Sequence, residues 1–333
     1  MTGSSGGGAV HNSGTLLAQN VTFVGNVSAA DGGAVFNTST GDATIDSSLI
    51  TQNQAFDGGG LYNNDNALMA VRNSEINQNI AGNDGAGIYN DLDGVVVLTN
   101  SDVMSNAAVG QGGGVYNNDA ADLTVGNSRF SVNTAEDGAA IFNELASELT
   151  ITNTTFTANV SSDDGGAIYN DDGTVLSSRT IYSSNTAGDS GGVIYNASNG
   201  NVTLSGDTLA LNQATTRGGG VNNFGLMTVS GTLLSHNTAV ARNAAVSRTD
   251  RCATAALIAN FAFGSLTCEC KQFSLPARFS RNMQSLEGQR VYTHPLVAPH
   301  TAGVRWRLPL GARVAARGGH RTRMTHVSNQ HIA

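Results

Sequence analysis

The sequence is poor in charge, cysteine and proline. Charged residues make up 13% of its 333 residues, whereas soluble domains average about 25%. Three cysteines in a chain of this length exclude a disulfide-stabilised scaffold. No apolar run approaches the roughly 20 residues of a membrane helix, so no transmembrane segment is predicted. Hydrophobic residues make up 40%, which excludes extensive disorder of the highly charged kind.

Lysine is absent from the first 240 residues, and this absence marks a division in composition. The segment 1–240 has four arginines against 22 acidic residues, a net charge of −18. The segment 241–333 has a net charge of +10 and contains every Cys, every Pro and the single Trp. We therefore predict a repeat domain over 1–240. We interpret 241–333 as a basic tail of low order, either a cap or a segment translated out of frame.

A repeat of 25–27 residues runs through the first region. Nine Gly-rich blocks of the form Gly–Gly–aliphatic–aromatic–Asn carry it, and a second marker, aromatic or aliphatic–x–x–Asn, runs in phase. Because Asn tolerates left-handed corners and can bond to its copy in a stacked neighbour, we predict two structural ladders. The first ladder contains Asn37, Asn63, Asn90, Asn117, Asn143, Asn170 and Asn196. The second contains Asn53, Asn79, Asn106, Asn133, Asn159 and Asn185.

Each period also holds three short β-prone runs separated by Gly, Asn, Asp and Ser, a pattern typical of strands and turns. Gly and Asn at fixed positions are poor helix formers, so helical repeats are disfavoured. Short strands in register favour a right-handed, single-stranded parallel β-helix whose like strands pair about 4.8 Å apart. We predict an all-β solenoid of about nine coils, with three strands per coil and an irregular C-terminal tail.

One stretch carries a resemblance to a known family. Residues 159–170 read Asn-Val-Ser-Ser-Asp-Asp-Gly-Gly-Ala-Ile-Tyr-Asn, and a Leu-Thr-Ile run precedes them. This pattern resembles the parallel β-helix repeats of polymorphic outer-membrane proteins and of related bacterial surface proteins of pectin-lyase-like architecture. The resemblance covers 1–240 and implies a secreted or outer-surface location, but fold similarity does not decide activity. No signal peptide precedes the first coil, so the chain is expected to be a fragment of a longer protein.

One repeat position carries an aromatic ring in seven consecutive coils. Since side chains alternate between the faces of a strand, an inward aliphatic neighbour places these rings outside. An exposed stripe of rings would contact glycans or proteins. The alternatives are an internal stack, or rings folded over the glycine-lined corner. The candidate binding residues are Tyr62, Tyr89, Tyr116, Tyr169 and Tyr195, with Phe36 and Phe142 in the same series, which is expected to end at His11 and Asn222.

Acidic residues precede the Gly pair in five coils. Asp137 and Asp164 occupy this position in neighbouring coils, which meets the separation of about 5–9.5 Å that glycoside hydrolysis requires. These two residues are the catalytic candidates, and the alternative is that they cap backbone N–H groups at a solvated corner. Carboxylates are also preferred ligands of Ca²⁺. A weak Ca²⁺ site is therefore a further alternative in the acidic turns that contain Asp91, Asp93, Asp171 and Asp172.

Two functions follow from these patterns. The coil length varies only between 25 and 27 residues, so no long loop builds the cleft that is usual in β-helix enzymes. This regularity favours a non-catalytic secreted or cell-surface module for adhesion or display, with glycans or host cell-surface proteins as partners. The alternative is a polysaccharide hydrolase or lyase that uses the stacked Asp residues. A net charge of −18 gives no reason to expect nucleic-acid binding by the repeat domain.

Overall fold

The computed structural model describes residues 6–240 and 251–255. Within these residues the chain forms strands and turns but no helix, and its strands build four parallel sheets. The prediction of an all-β parallel β-helix of about nine coils is confirmed. The prediction of three strands per coil is wrong, because each complete coil contributes a strand to four sheets.

Sheets I to IV are named in the order in which the chain reaches them within a coil. Sheet I contains the three- or four-residue strands of the Gly–Gly–aliphatic–aromatic–Asn blocks: Val10–Asn12, Val35–Asn37, Leu61–Asn63, Ile88–Asn90, Val115–Asn117, Ile141–Glu144, Ile168–Asp171, Ile194–Asn196 and Val221–Asn223. Sheet II contains five-residue strands: Thr15–Gln19, Asp42–Asp46, Leu68–Arg72, Val95–Thr99, Asp122–Gly126, Glu148–Thr152, Thr174–Ser178, Asn201–Ser205, Leu226–Ser230 and Arg251–Ala255.

Sheets III and IV follow around the coil. Sheet III contains three-residue strands: Thr22–Val24, Leu49–Thr51, Glu75–Asn77, Asp102–Met104, Arg129–Ser131, Thr155–Thr157, Ile181–Ser183, Thr208–Ala210 and Leu233–Ser235. Sheet IV contains two-residue strands: Gln54–Ala55, Ile80–Ala81, Ala107–Ala108, Thr134–Ala135, Val160–Ser161, Thr186–Ala187, Gln213–Ala214 and Thr238–Ala239. Strands of two residues are too short to show the alternation of apolar and polar residues that identifies a strand, so the sequence pattern missed sheet IV.

Equivalent residues of successive coils lie opposite one another. In sheet I, Tyr89 pairs with Tyr116 and Asn90 pairs with Asn117. Side chains therefore form columns along the axis, with one member per coil. At the last described strand the register shifts, because Arg251–Ala255 pairs with Leu226–Ser230 through an irregularity beside Met227. Part of the predicted tail thus extends sheet II, and the rest of that prediction lies outside the described residues.

The core is built from inward aliphatic columns, and the corners depend on glycine. Ile88 and its copies from Val35 to Val221 along sheet I are fully buried in one hydrophobic cluster, and Val10 of the first coil packs against it partly buried. At the corner before sheet I, Gly58 has φ of 60°, a left-handed conformation that glycine adopts without a steric penalty. A Cβ on the next residue, Gly59, would lie 2.4 Å from the carbonyl oxygen of Ile80 in the next coil. The paired glycines therefore allow both the turn and the close approach of coils.

Buried Asn side chains join the coils in two ladders. In the sheet I ladder, Asn63 Nδ2 donates to Asn90 Oδ1 at 2.9 Å, and the same bond recurs from Asn12 to Asn223. In the ladder after sheet III, the backbone N and Nδ2 of Asn79 both donate to Asn106 Oδ1 at 3.0 Å. Because each buried amide finds partners, the cost of removing it from water is offset.

A third polar column, made of Ser and Thr hydroxyls, was not predicted from the sequence. At the corner between sheets II and III, the backbone N of Ser74 donates to Ser101 Oγ at 3.1 Å, and Ser74 Oγ donates to the Arg72 carbonyl at 2.7 Å. In one coil Asp207 replaces the Ser or Thr and accepts the Thr180 backbone N–H at 2.8 Å. Ser or Thr at this position is indistinguishable in sequence from an ordinary turn residue.

Candidate functional site

The rings of sheet I form one continuous stack on the outer face of the sheet, which we call the aromatic column. Tyr62 and Tyr89 have ring centroids 4.8 Å apart and an interplanar angle of 10°. Both ends extend the stack: the His11 ring stacks on Phe36 at 5.2 Å, and Phe224 lies 5.6 Å from Tyr195. The expectation that the series ends at His11 and Asn222 is therefore wrong. Phe224 was missed because it comes after the ladder Asn, two residues later than the other rings.

The aromatic column is outside the core and yet mostly covered. Tyr62, Tyr89 and Tyr116 are only 6–8% exposed and belong to a hydrophobic cluster separate from the main core. The corner glycines pack against the rings, since a Cβ on Gly58 would lie 3.1 Å from the ring atom Cδ2 of Tyr62. The rings therefore lie over the glycine-lined corner with their faces against one another. Ring edges and hydroxyl groups are the parts that reach outward.

Carboxylates that follow the ladder Asn flank the tyrosine hydroxyls. Tyr62 Oη donates to Asp91 Oδ2 of the next coil at 3.2 Å, and Tyr116 Oη donates to Glu144. Burial raises the pKa of all five candidate tyrosines, and that of Tyr195 reaches about 12. The hydroxyls thus stay protonated at neutral pH and act as hydrogen-bond donors. Burial also raises the pKa of Asp91.

The second flank of the aromatic column is the row of corner carboxylates. Asp137 Oδ1 accepts the backbone N–H of Asp164 at 2.9 Å, and Asp164 Oδ1 accepts that of Ser190 at 2.8 Å. Burial, reinforced by nearby acids such as Asp163, raises the pKa of Asp137 to about 6 and that of Asp164 to about 7. At neutral pH the pair therefore includes a carboxyl group that can hold a proton beside one that is ionised.

Three carboxylates lie close enough to hold a cation together. Oxygens of Asp137, Asp163 and Asp164 lie within 4.8 Å of one another, and they are the only such group of three or more within the described residues. The four predicted Ca²⁺ ligands in the acidic turns do not come together in this way: these are Asp91, Asp93, Asp171 and Asp172. Asp163 was missed because it precedes the repeated Asp position and has no fixed counterpart in the other coils.

A shallow groove of about 780 Å³ follows the corner between sheets II and III. Asparagines line one wall, and the first residues of the sheet III strands, including Glu75, Asp102 and Arg129, line the other. We call it the amide groove. The groove could not be predicted from the sequence, because Asn beside a strand is a common turn residue. The wall asparagines are Asn20, Asn73, Asn100, Asn127 and Asn153.

Comparison with known families gives a match for two segments of the chain. Residues 20–38 and 153–171 match the Chlamydia polymorphic membrane protein (Chlamydia_PMP) repeat. Each segment starts at a wall asparagine of the amide groove and ends just beyond the ladder Asn of sheet I. These two segments are similar to that family's repeats, and together with the four parallel sheets they fit a β-helix repeat protein of the polymorphic outer-membrane kind. No curated protein and no solved structure matched the chain.

The polymorphic membrane protein repeat spans residues that the structure places in columns. The second match contains Asn159 and Asn170, one from each ladder, together with the candidates Asp164 and Tyr169. Polymorphic membrane protein repeats suggest a surface-displayed β-helix protein, and the match assigns no residue a chemical role. Over residues 6–240 and 251–255, the chain contains no helix long and apolar enough to cross a membrane.

Proposed function

We propose that the chain is a non-catalytic, surface-displayed β-helix module for adhesion, which binds glycans or host cell-surface proteins through its sides. One observation carries the proposal: the carboxylates that a hydrolase would use are engaged in holding the coils together. Asp137 and Asp164 each accept a backbone N–H group from the following coil. Coils of 25–27 residues leave no loop to build a cleft around them.

The direct test is adhesion by the full chain. Beads coated with the folded chain should bind cultured cells saturably, and soluble chain should compete with the beads. Beads coated with heat-unfolded chain control for charge and composition, since they carry the same residues without the columns. Enzymatic removal of cell-surface glycans or proteins then separates the two partner classes. Equal binding by folded and unfolded chain would contradict the proposal.

A polysaccharide hydrolase is the second candidate, and one observation favours it. Asp164 has a pKa raised to about 7 and Asp137 one raised to about 6, and general acid–base catalysis works best with groups that titrate near the operating pH. Reducing-sugar release from a panel of polysaccharides tests this function. Asp164→Asn is the matched variant, because its amide oxygen can still accept the Ser190 N–H. Activity that Asp164→Asn abolishes without lowering Tm would replace the adhesion proposal.

A further inference from the structure

The wall asparagines of the amide groove share one unusual backbone conformation. Asn73, Asn100, Asn127 and Asn153 have φ between 49° and 52°, the left-handed region that Gly and Asn adopt most readily. Gly206 and Gly231 occupy the same corner position in later coils with φ of 68° and 61°, outside the groove. The corner therefore forms with either residue. Asn contributes an amide that the corner itself does not require.

The groove floor and its wall differ in the polar groups that they leave open. On the floor, Ser74 and Ser101 are buried, and their hydroxyls bond to the backbone. On the wall, Asn100 and Asn127 are exposed. The Asn100 side chain has no hydrogen-bond partner among the described residues, and Asn127 Oδ1 accepts only a long bond of 3.4 Å from Asn153. Each free amide offers two N–H donors and one carbonyl acceptor.

The charges in the groove are few and largely paired. Arg129 binds Asp102 through two hydrogen bonds, Nε to Oδ1 at 3.1 Å and Nη2 to Oδ2 at 2.9 Å. Glu75 accepts a hydrogen bond from the Asn77 side chain. Glu75, Asp102 and Arg129 together carry a net charge of −1. A polyanionic ligand would meet this excess negative charge, whereas a neutral ligand would meet amides and hydroxyls that both donate and accept.

The spacing of the wall suits an extended chain molecule. The wall runs from Asn20 to Asn153, five coil steps or roughly 24 Å at the spacing of paired strands. Its amides recur once per coil from Asn73 to Asn153, and Ser47 takes the position between Asn20 and Asn73. A ligand with a repeating polar unit can therefore meet an amide in four successive coils. Repeated weak contacts along one chain add to the affinity. Linear polysaccharides are neutral or charged chains of this kind, and their hydroxyls match the amides.

We propose that the amide groove binds an extended, neutral polysaccharide chain that lies parallel to the β-helix axis, with the exposed Asn100 and Asn127 amides as its central contacts. The inference deepens the proposed adhesion function and rests on it for its biological setting. The glycan contact thus moves from the aromatic column, whose ring faces are covered, to a corner where the Asn100 amide and the Asn127 N–H donors are open. The wall amides on either side of this pair are partly engaged, since Asn73 Nδ2 donates to Asp46 Oδ1 and Asn153 Oδ1 accepts from Arg179 Nε, both at 2.9 Å.

The test is titration calorimetry of the full chain with neutral cellohexaose and chitohexaose. We expect at least one of them to bind, more tightly than its trisaccharide, and hexagalacturonate to bind more weakly. The double variant Asn100→Gly/Asn127→Gly keeps the left-handed corners and removes two amides, so affinity should fall about tenfold. Asn66→Gly is the matched control, because Asn66 also has a positive φ, 59°, but does not line the groove.

Several outcomes would overturn the inference. These are failure of both neutral hexasaccharides to bind, unchanged affinity in the double variant, equal loss in Asn66→Gly, or tighter binding of hexagalacturonate. If the double variant melts early, Asn100→Asp/Asn127→Asp replaces it, because Asp also tolerates the left-handed corner and removes the N–H donors. Adhesion to cells without sugar binding would overturn this inference and leave the proposed function intact. Sugar binding without adhesion would contradict only the proposed function.

Discussion

The aromatic column and the amide groove are both built by repetition, but they use their polar groups differently. In the aromatic column, rings face rings, the Tyr62 hydroxyl donates to Asp91, and the corner carboxylates accept backbone N–H groups. In the amide groove, the exposed Asn100 side chain makes no hydrogen bond within the described residues, and Asn127 leaves its N–H donors to solvent. In a β-helix a repeated side chain can thus contact the equivalent residues of neighbouring coils, or it can remain exposed to solvent and available to a ligand. Repetition alone therefore does not identify a binding site.

The largest expected effect is a loss of stability when an asparagine of a buried ladder is replaced. Asn106 belongs to such a ladder, whereas Asn100, six residues earlier, lies in the groove. Asn106→Ala removes the acceptor of both the backbone N–H and the side-chain amide of Asn79. Each buried donor left without a partner costs about 1–3 kcal/mol, so we expect a loss of about 4 kcal/mol in the free energy of unfolding. Urea denaturation monitored by circular dichroism measures it. A loss below that of an ordinary surface substitution would show that the ladder is not a stabilising element.

The second prediction concerns the aromatic column as packing. Tyr89→Ala removes a ring that is 8% exposed and stacks on two neighbours, so it should cost about 3 kcal/mol, the lower range for a buried aromatic residue. Tyr89→Phe keeps the ring and should cost less than about 1 kcal/mol. Thermal and urea unfolding of the two variants provide the comparison. If Tyr89→Ala lowers cell binding while stability is unchanged, the column is a binding surface and the contrast with the groove fails.

The third prediction is that the stability of the fold depends on pH through the corner carboxylates beside the aromatic column. Burial raises the pKa of Asp84 and Asp137 to about 6 and that of Asp164 to about 7. The folded chain therefore binds protons more tightly than the unfolded chain, in which a carboxyl group titrates near 4. The stability from these groups is fully present below that value and is lost as the pH rises through about 6 to 7.

We accordingly expect Tm to fall by a few degrees between pH 5 and pH 8, as measured by differential scanning calorimetry. Asp164→Asn removes the group with the highest pKa and should reduce the slope, while its amide oxygen keeps the cap on Ser190. A Tm that rises over this interval would mean that ionised carboxylates stabilise the corners. The corner carboxylates would then resemble the solvent-exposed amides of the groove more than the buried groups of the aromatic column.

The sequence predicts the β-helix well because every inward position repeats. Three kinds of residue recur at nearly constant intervals: Ile88 and its copies, the paired corner glycines and the ladder Asn residues. These intervals determine how successive coils pair. What the sequence does not reveal is whether a repeated side chain is satisfied by its neighbours. In the sequence, Ser74 and Asn100 both look like ordinary turn residues. In the structure, Ser74 belongs to a buried hydroxyl column, whereas the Asn100 side chain is exposed and makes no hydrogen bond within the described residues. Phe224 joins the ring stack from a different position in its coil, which only three-dimensional stacking makes visible.

The smallest expected effect on stability comes from replacing an asparagine of the amide groove. Asn100→Gly should change the free energy of unfolding by no more than about 0.5 kcal/mol, as is usual for a surface substitution. Glycine fits the φ of 49° at this corner, as Gly206 does in a later coil, and no internal hydrogen bond is lost. Urea denaturation beside Asn106→Ala measures the contrast directly. A loss of more than about 1 kcal/mol would mean that the Asn100 amide supports the corner, and the groove would then be another closed column rather than a place for a ligand.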